Sequence, residues 1–219
     1  MAKIELSTGT PAEIVHPQTG RPKAGIVLVP DIMGLRPLFE QLCARLSKEW
    51  RVSVCAPELF PGMEKLSIEA RMKKVKTFDD EQKIGDLLAA AQRTGCDTVH
   101  LVGFCMGGMY ALKAAANERF ARAVSFYGMI RVPKQWKGKG QREPLELLAD
   151  RGAAHVMEIV GTKDPWVPLE DAKELEALGA TVVTYKGAEH GFVHDPERPA
   201  HRPKDAKDAW ARAKKFLGL

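Results

Sequence analysis

Apolar positions fall into short continuous runs separated by longer stretches of helical periodicity, and the two kinds of segment alternate from residue 24 almost to the C terminus. The short runs predict strands at Ala12–His16, Ala24–Val29, Arg51–Cys55, Thr98–Gly103, Ala121–Phe126, His155–Gly161 and Thr181–Lys186. Because a turn cluster, Pro17-Gln18-Thr19-Gly20-Arg21-Pro22, separates the first two, they are expected to pair as a hairpin or as an edge strand beside an inner one. Between strands, Leu38, Phe39, Leu42, Cys43 and Leu46 share one helical face, which puts Cys43 in the core. Ile84, Leu87, Leu88 and Ala91 do the same on a helix from Asp79 to about Thr94, and Asp205–Leu217 reads as a closing amphipathic helix. Pro144 opens a short helix to Ala149, and another runs to about Leu178 with Gly179 as its stop. The segment up to Thr77 is polar, dotted with Met63 and Met72, and helical in part; Arg131–Gly140 has no period at all. Strands alternating with helices on this scale imply an α/β architecture, a mostly parallel sheet covered on both faces.

Composition adds boundaries to this picture. A chain of 219 residues, 45% hydrophobic and 28% charged, with no repeat, linker or low-complexity tract, is expected to form a single domain over residues 1–219. Met1–Leu6 has no apolar signal-like core, and no stretch approaches 18 uninterrupted apolar residues, so a soluble, cytoplasmic protein without a membrane partner is expected. The four cysteines (Cys43, Cys55, Cys96, Cys105) include no Cys-x-x-Cys pair, which argues for reduced thiols rather than a disulfide framework or zinc site. The net charge is +5, yet basic residues are interspersed with acids, as in Asp205-Ala206-Lys207-Asp208, which gives no reason to expect a nucleic acid partner. A monomer or small homo-oligomer is expected.

The chemistry concentrates at Gly103-Phe104-Cys105-Met106-Gly107, where a buried strand passes through a glycine-flanked cysteine into a helix. A cysteine in an apolar run is most often a small buried hydrophobe. Here, however, 19 glycines and 4 cysteines in 219 residues would produce Gly-x-Cys-x-Gly by chance only about 0.03 times. A side chain on so sharp a turn projects from the sheet, and the N–H groups and positive dipole end of the following helix favour a thiolate and later an oxyanion. Asp164 and His190 follow at the carboxyl ends of two later strands, so the chain order is nucleophile, acid, histidine. In those roles His190 takes the thiol proton and later activates water, while Asp164 holds its tautomer. Two N–H groups are required at the oxyanion: Met106, after the nucleophile, and Ile32, in the loop after Ala24–Val29.

The elbow resembles the nucleophile elbow of the α/β-hydrolase fold. Together, Gly-Phe-Cys-Met-Gly-Gly (103–108), Gly-Thr-Lys-Asp-Pro-Trp-Val-Pro (161–168) and Ala-Glu-His-Gly-Phe (188–192) are similar to three signatures of the dienelactone hydrolase family, a resemblance spanning roughly residues 24–217. It implies an α/β-hydrolase domain without a large cap, a Cys-His-Asp triad, no metal or organic cofactor, and cleavage of small esters or lactones through a thioester. It also implies an accessory acid near the thiol, commonly Glu, where this chain has the shorter Asp31. Dienelactone-cleaving members use arginines to hold the substrate carboxylate, one of them four residues after the catalytic histidine. This chain has His194 there, which argues against dienelactone itself as substrate.

Met33, Tyr127, Trp166 and Phe192, with His194, flank the expected site and suggest a partly apolar substrate pocket. Two other readings stand beside hydrolysis. A non-catalytic binding protein of the same fold should show a broken triad, whereas this one is complete; a redox-responsive thiol protein needs a resolving cysteine, and the other three lie on separate elements.

Overall fold

The computed structural model describes all 219 residues, and its centre is an eight-stranded sheet. In chain order the strands are β1 (Ala2–Glu5), β2 (Pro11–Val15), β3 (Gly25–Val29), β4 (Ser53–Pro57), β5 (Val99–Phe104), β6 (Phe120–Phe126), β7 (Val156–Gly161) and β8 (Thr181–Tyr185). Across the sheet they lie in the order β1-β2-β4-β3-β5-β6-β7-β8. All neighbouring pairs from β4 to β8 are parallel; β1–β2 and β2–β4 are antiparallel, so β2 alone runs against the rest of the sheet. Every residue of β3, β4, β5 and β7 is buried, as befits inner strands covered on both faces.

The opening differs from expectation. β2 does not pair with β3; β4 comes between them, and the hairpin is instead β1 with β2. β1 alternates Lys3 and Glu5 with Ala2 and Ile4 and is largely exposed, so it carries almost no apolar signal and is a strand because β2 pairs with it.

The helices are α1 (Pro37–Trp50), α2 (Ile68–Val75), α3 (Asp80–Arg93), α4 (Met106–Ala114), α5 (Pro144–Leu148), α6 (Leu169–Ala177) and α7 (Pro203–Leu217). α1 and α7 share one face, where Trp50 meets Trp210 edge-on at 5.7 Å. α3 and α4 share the other, tied by the buried Lys113 ammonium, which donates to both oxygens of Asp80 at 2.8 and 3.0 Å. Cys43 is fully buried in α1, and α3 buries Leu87 and Ala91 while leaving Ile84 and Leu88 partly covered. Met63 and Met72 pack partly on the core, whereas Ile68 is 48% exposed. No helix is long and apolar enough to cross a membrane.

Candidate active site

β5 ends near the middle of the sheet, between β3 and β6, and the chain turns at once into α4. Cys105 occupies that turn with φ 56° and ψ −122°, a left-handed backbone conformation costly for a residue with a Cβ. Its N–H donates to the Phe126 carbonyl at 3.0 Å, and its own carbonyl accepts from Met109, so the strained residue is held from both sides. The flanking glycines are required by contact. A Cβ on Gly103 would sit 2.2 Å from the Gly107 carbonyl oxygen, and one on Gly107 would sit 2.1 Å from that of Pro30. The helix thus packs backbone to backbone against β5 and the β3 loop.

His190, in the loop after β8, reaches back to this turn. Its Nδ1 is 2.8 Å from Asp164 Oδ2, while Asp164 Oδ1 accepts the Trp166 N–H at 2.8 Å, fixing the carboxylate in the loop after β7. Its Nε2 is buried and has no hydrogen-bond partner. Burial works against a charged imidazole here. The neighbouring Cys105 side chain and the Asp164 carboxylate outweigh it and raise His190 to about 10. The structure therefore brings Cys105, Asp164 and His190 together around one ring.

The loop after β3 is braced by Asp31 and His194, which the sequence offered for other roles, and by Arg36, Glu58 and Arg71, which it did not single out. Asp31, 2% exposed, accepts from Arg36 at 2.7 and 2.9 Å, from the Met33 N–H at 2.9 Å and from His194 Nε2 at 2.8 Å. Burial opposes its charge, but the bonds from His194 and Arg36 hold it well below the usual carboxylate range. Glu58 accepts the Leu35 N–H at 2.8 Å, and Arg71 donates to the Ile32 carbonyl at 3.4 Å. The Ile32 N–H makes no hydrogen bond within the chain, and Met106, as the first residue of α4, has no partner within the helix.

His194, its side chain fully withdrawn from solvent, is placed differently from the partly exposed His190. Burial lowers its pKa more than Asp31 raises it, so the ring is neutral: Nε2–H donates to Asp31, and Nδ1 accepts the Tyr127 O–H at 2.5 Å. Tyr127, itself at φ 44°, keeps its proton because burial pushes its pKa well above the ordinary value, and its ring lies edge-on to His190 at 5.1 Å. Tyr127, Phe192 and the His194 side chain are withdrawn from solvent. Tyr127 packs against His190, and none of the three offers the exposed surface expected of a pocket wall. Met33, 37% exposed, and the half-buried Trp166 remain as open apolar groups beside the site.

One further acid was illegible in the sequence. Glu158 lies within β7 opposite Ser125 of β6, is fully buried, and is held neutral by burial, with the nearby Asp164 carboxylate acting in the same direction. Its only sequence signal is a lone carboxylate in an otherwise apolar strand. No group of three His, Cys, Asp or Glu residues is arranged to hold a metal ion.

Residues 11–219 match the model of the dienelactone hydrolase family. The chain belongs to the dienelactone hydrolase family. Among relatives of this family member, a Bradyrhizobium protein named "Probable 2-oxo-3-(5-oxofuran-2-ylidene)propanoate lactonase" is 30% identical, over 88% of this chain and 82% of its own. A carboxymethylenebutenolidase from Rhodococcus opacus is 28% identical over 88% of this chain and 79% of its own. The solved structure titled "Putative Dienelactone Hydrolase" from Klebsiella pneumoniae superposes with a TM-score of 0.86 at 24% identity, covering 100% of this chain and 98% of that one, which supports the α/β-hydrolase fold.

Proposed function

We propose that this ester- and lactone-cleaving member of the dienelactone hydrolase family works through Cys105, His190 and Asp164 by way of a thioester. The thiolate attacks the carbonyl carbon, forming an S–C bond, and the resulting oxyanion is received by the N–H groups of Ile32 and Met106. Collapse breaks the C–O bond, and the leaving alkoxide takes its proton from the His190 imidazolium. Water then gives a proton to His190 Nε2 and attacks the thioester; the S–C bond breaks, releasing the acid and restoring the thiolate. With a lactone the alcohol stays attached and one hydroxy acid leaves. Asp31 serves as a brace for the Ile32 loop rather than as a proton acceptor, since its bonding capacity is taken by Arg36, His194 and Met33.

The observation that carries this reading is His190 itself: one nitrogen tied to Asp164, the other buried and unbonded at the cysteine turn. The two named relatives are called a lactonase and a butenolidase. Here His194 is engaged with Asp31 and Tyr127 and offers no cation to a substrate, which favours small neutral esters or lactones.

Iodoacetamide tests the nucleophile. Burial pushes the Cys43 thiol far up and the Cys55 thiol to about 12, so neither competes at pH 7. One equivalent should alkylate Cys105 and abolish ester cleavage, and His190→Ala should slow that labelling at least about tenfold. Retained activity after complete alkylation of Cys105 would refute the assignment.

A further inference from the structure

Beside His190 the surface opens into a cleft of about 670 Å3, within the range of small-ligand sites, that the mechanism above does not use. It lies between the loop joining β6 to α5 and the loop joining β7 to α6. Its walls include Pro133, Pro165, Pro168 and the half-buried ring of Trp166. Trp166 is also the cleft's link to the chemistry. Its ring centroid is 6.4 Å from that of His190, and its backbone N–H donates to the catalytic acid Asp164.

Behind Trp166 stands Trp136, 2% exposed, which does not line the cleft but stacks on Trp166 with centroids 5.7 Å apart and planes 23° from parallel. The loop that carries Trp136 is fastened to the α2–α3 region. Gly138 approaches so closely that a Cβ there would be 1.9 Å from the Lys76 carbonyl oxygen. Gln141 donates to the Val75 carbonyl, and the Arg142 N–H donates to Asp80 at 2.7 Å. The wall is therefore set before any ligand arrives.

The charges at the rim do not make this an anion site. Arg131 is paired with Asp171 and Glu174, and Lys137 with Glu143, which leaves Lys134 as the one lining cation without a carboxylate, exposed at the edge. What the cleft presents is flat and rigid: an indole face already stacked from behind, flanked by proline rings. We infer that this cleft is a subsite for an aromatic ring carried by the ester substrate, with Trp166 as the stacking face. The inference rests on the ester-cleaving function proposed above and adds the substrate class.

Two matched pairs of esters test it: benzyl against cyclohexylmethyl acetate, and the methyl esters of phenylacetic against cyclohexylacetic acid. In at least one pair the aromatic member should have a kcat/KM about three- to tenfold higher, the scale of one aromatic stack. Trp166→Leu should bring that ratio to within about twofold, Trp166→Phe should keep most of it, and Gln135→Trp, which crowds the cleft from the facing loop, should also lower it. Equal rates within both pairs, or a preference unchanged in both Trp166→Leu and Gln135→Trp, would overturn the subsite. Failure of the ester-cleaving function looks different: none of the four esters is hydrolysed. In that event the subsite is decided by ligand-observed NMR, with N-benzylacetamide required to bind more tightly than N-(cyclohexylmethyl)acetamide in the wild type and not in Gln135→Trp; equal binding refutes it.

Discussion

Replacing His190 by Ala is expected to lower kcat/KM for a small ester by about 10³- to 10⁶-fold, and adding Asp164→Asn to that variant to cost less than about threefold more. The reason is that the carboxylate acts only through the ring. Asp164 reaches the reaction by its 2.8 Å bond to His190 Nδ1, which holds the unbonded Nε2 toward the cysteine turn and stabilises the imidazolium. Without the imidazole, that bond has nothing to orient. Asp164→Asn alone should be severe, because an amide can donate its proton to Nδ1 and so select the wrong tautomer. Kinetics of the two single variants and the double variant provide the check. Losses that add in logarithms would mean that Asp164 and His190 serve separate functions.

Asp31→Asn is expected to destabilise the fold by about 3 kcal/mol at pH 7, the scale for removing one partner of a buried ion pair. The Arg36 guanidinium, 18% exposed, would lose its bidentate carboxylate, and only Asp195 at 3.9 Å would remain near it. The pH dependence separates charge from shape. Since Asp31 in the folded chain titrates below its ordinary 3.8, its ionised form adds stability that is fully present above about pH 3.8. That stability is lost as the pH falls through the folded-state value. The gap between wild type and variant in urea unfolding should thus be constant from pH 5 to 7 and narrow below pH 4. A gap that does not change with pH would assign the effect to lost hydrogen-bond shape, and no gap at pH 7 would show that the pair contributes nothing net.

Cys105, Asp164 and His190 could be read as one cluster because each follows an apolar run, and parallel strands deliver their carboxyl ends to one edge whatever their order in the sheet. The Gly-x-Cys-x-Gly spacing carried more than a motif, since Gly103 and Gly107 prove to be places where backbone meets backbone. What could not be read were groups that matter only through distant partners. Arg36, Glu58 and Arg71 look like ordinary charges in polar stretches, and only folding converges them on the Ile32 loop. Aromatic residues near the site were legible as a set but not by depth: Tyr127 and Phe192 went beneath the site, Trp166 beside it. Likewise, the chain order of β2 and β3 suggested a pair, whereas β4 pairs with both and leaves them apart.

The most direct test of the mechanism is to catch the acyl group on sulfur. A rapidly mixed sample of the wild-type chain with an activated ester, quenched in acid within the first turnovers and mapped by peptide mass spectrometry, should carry the acyl mass on the peptide containing Cys105. The adduct should be removable by neutral hydroxylamine, as thioesters are, and should appear and decay at rates that account for the steady-state turnover. Turnover with no acyl mass on Cys105 at any time, together with full activity in Cys105→Ala, would contradict covalent catalysis by this cysteine.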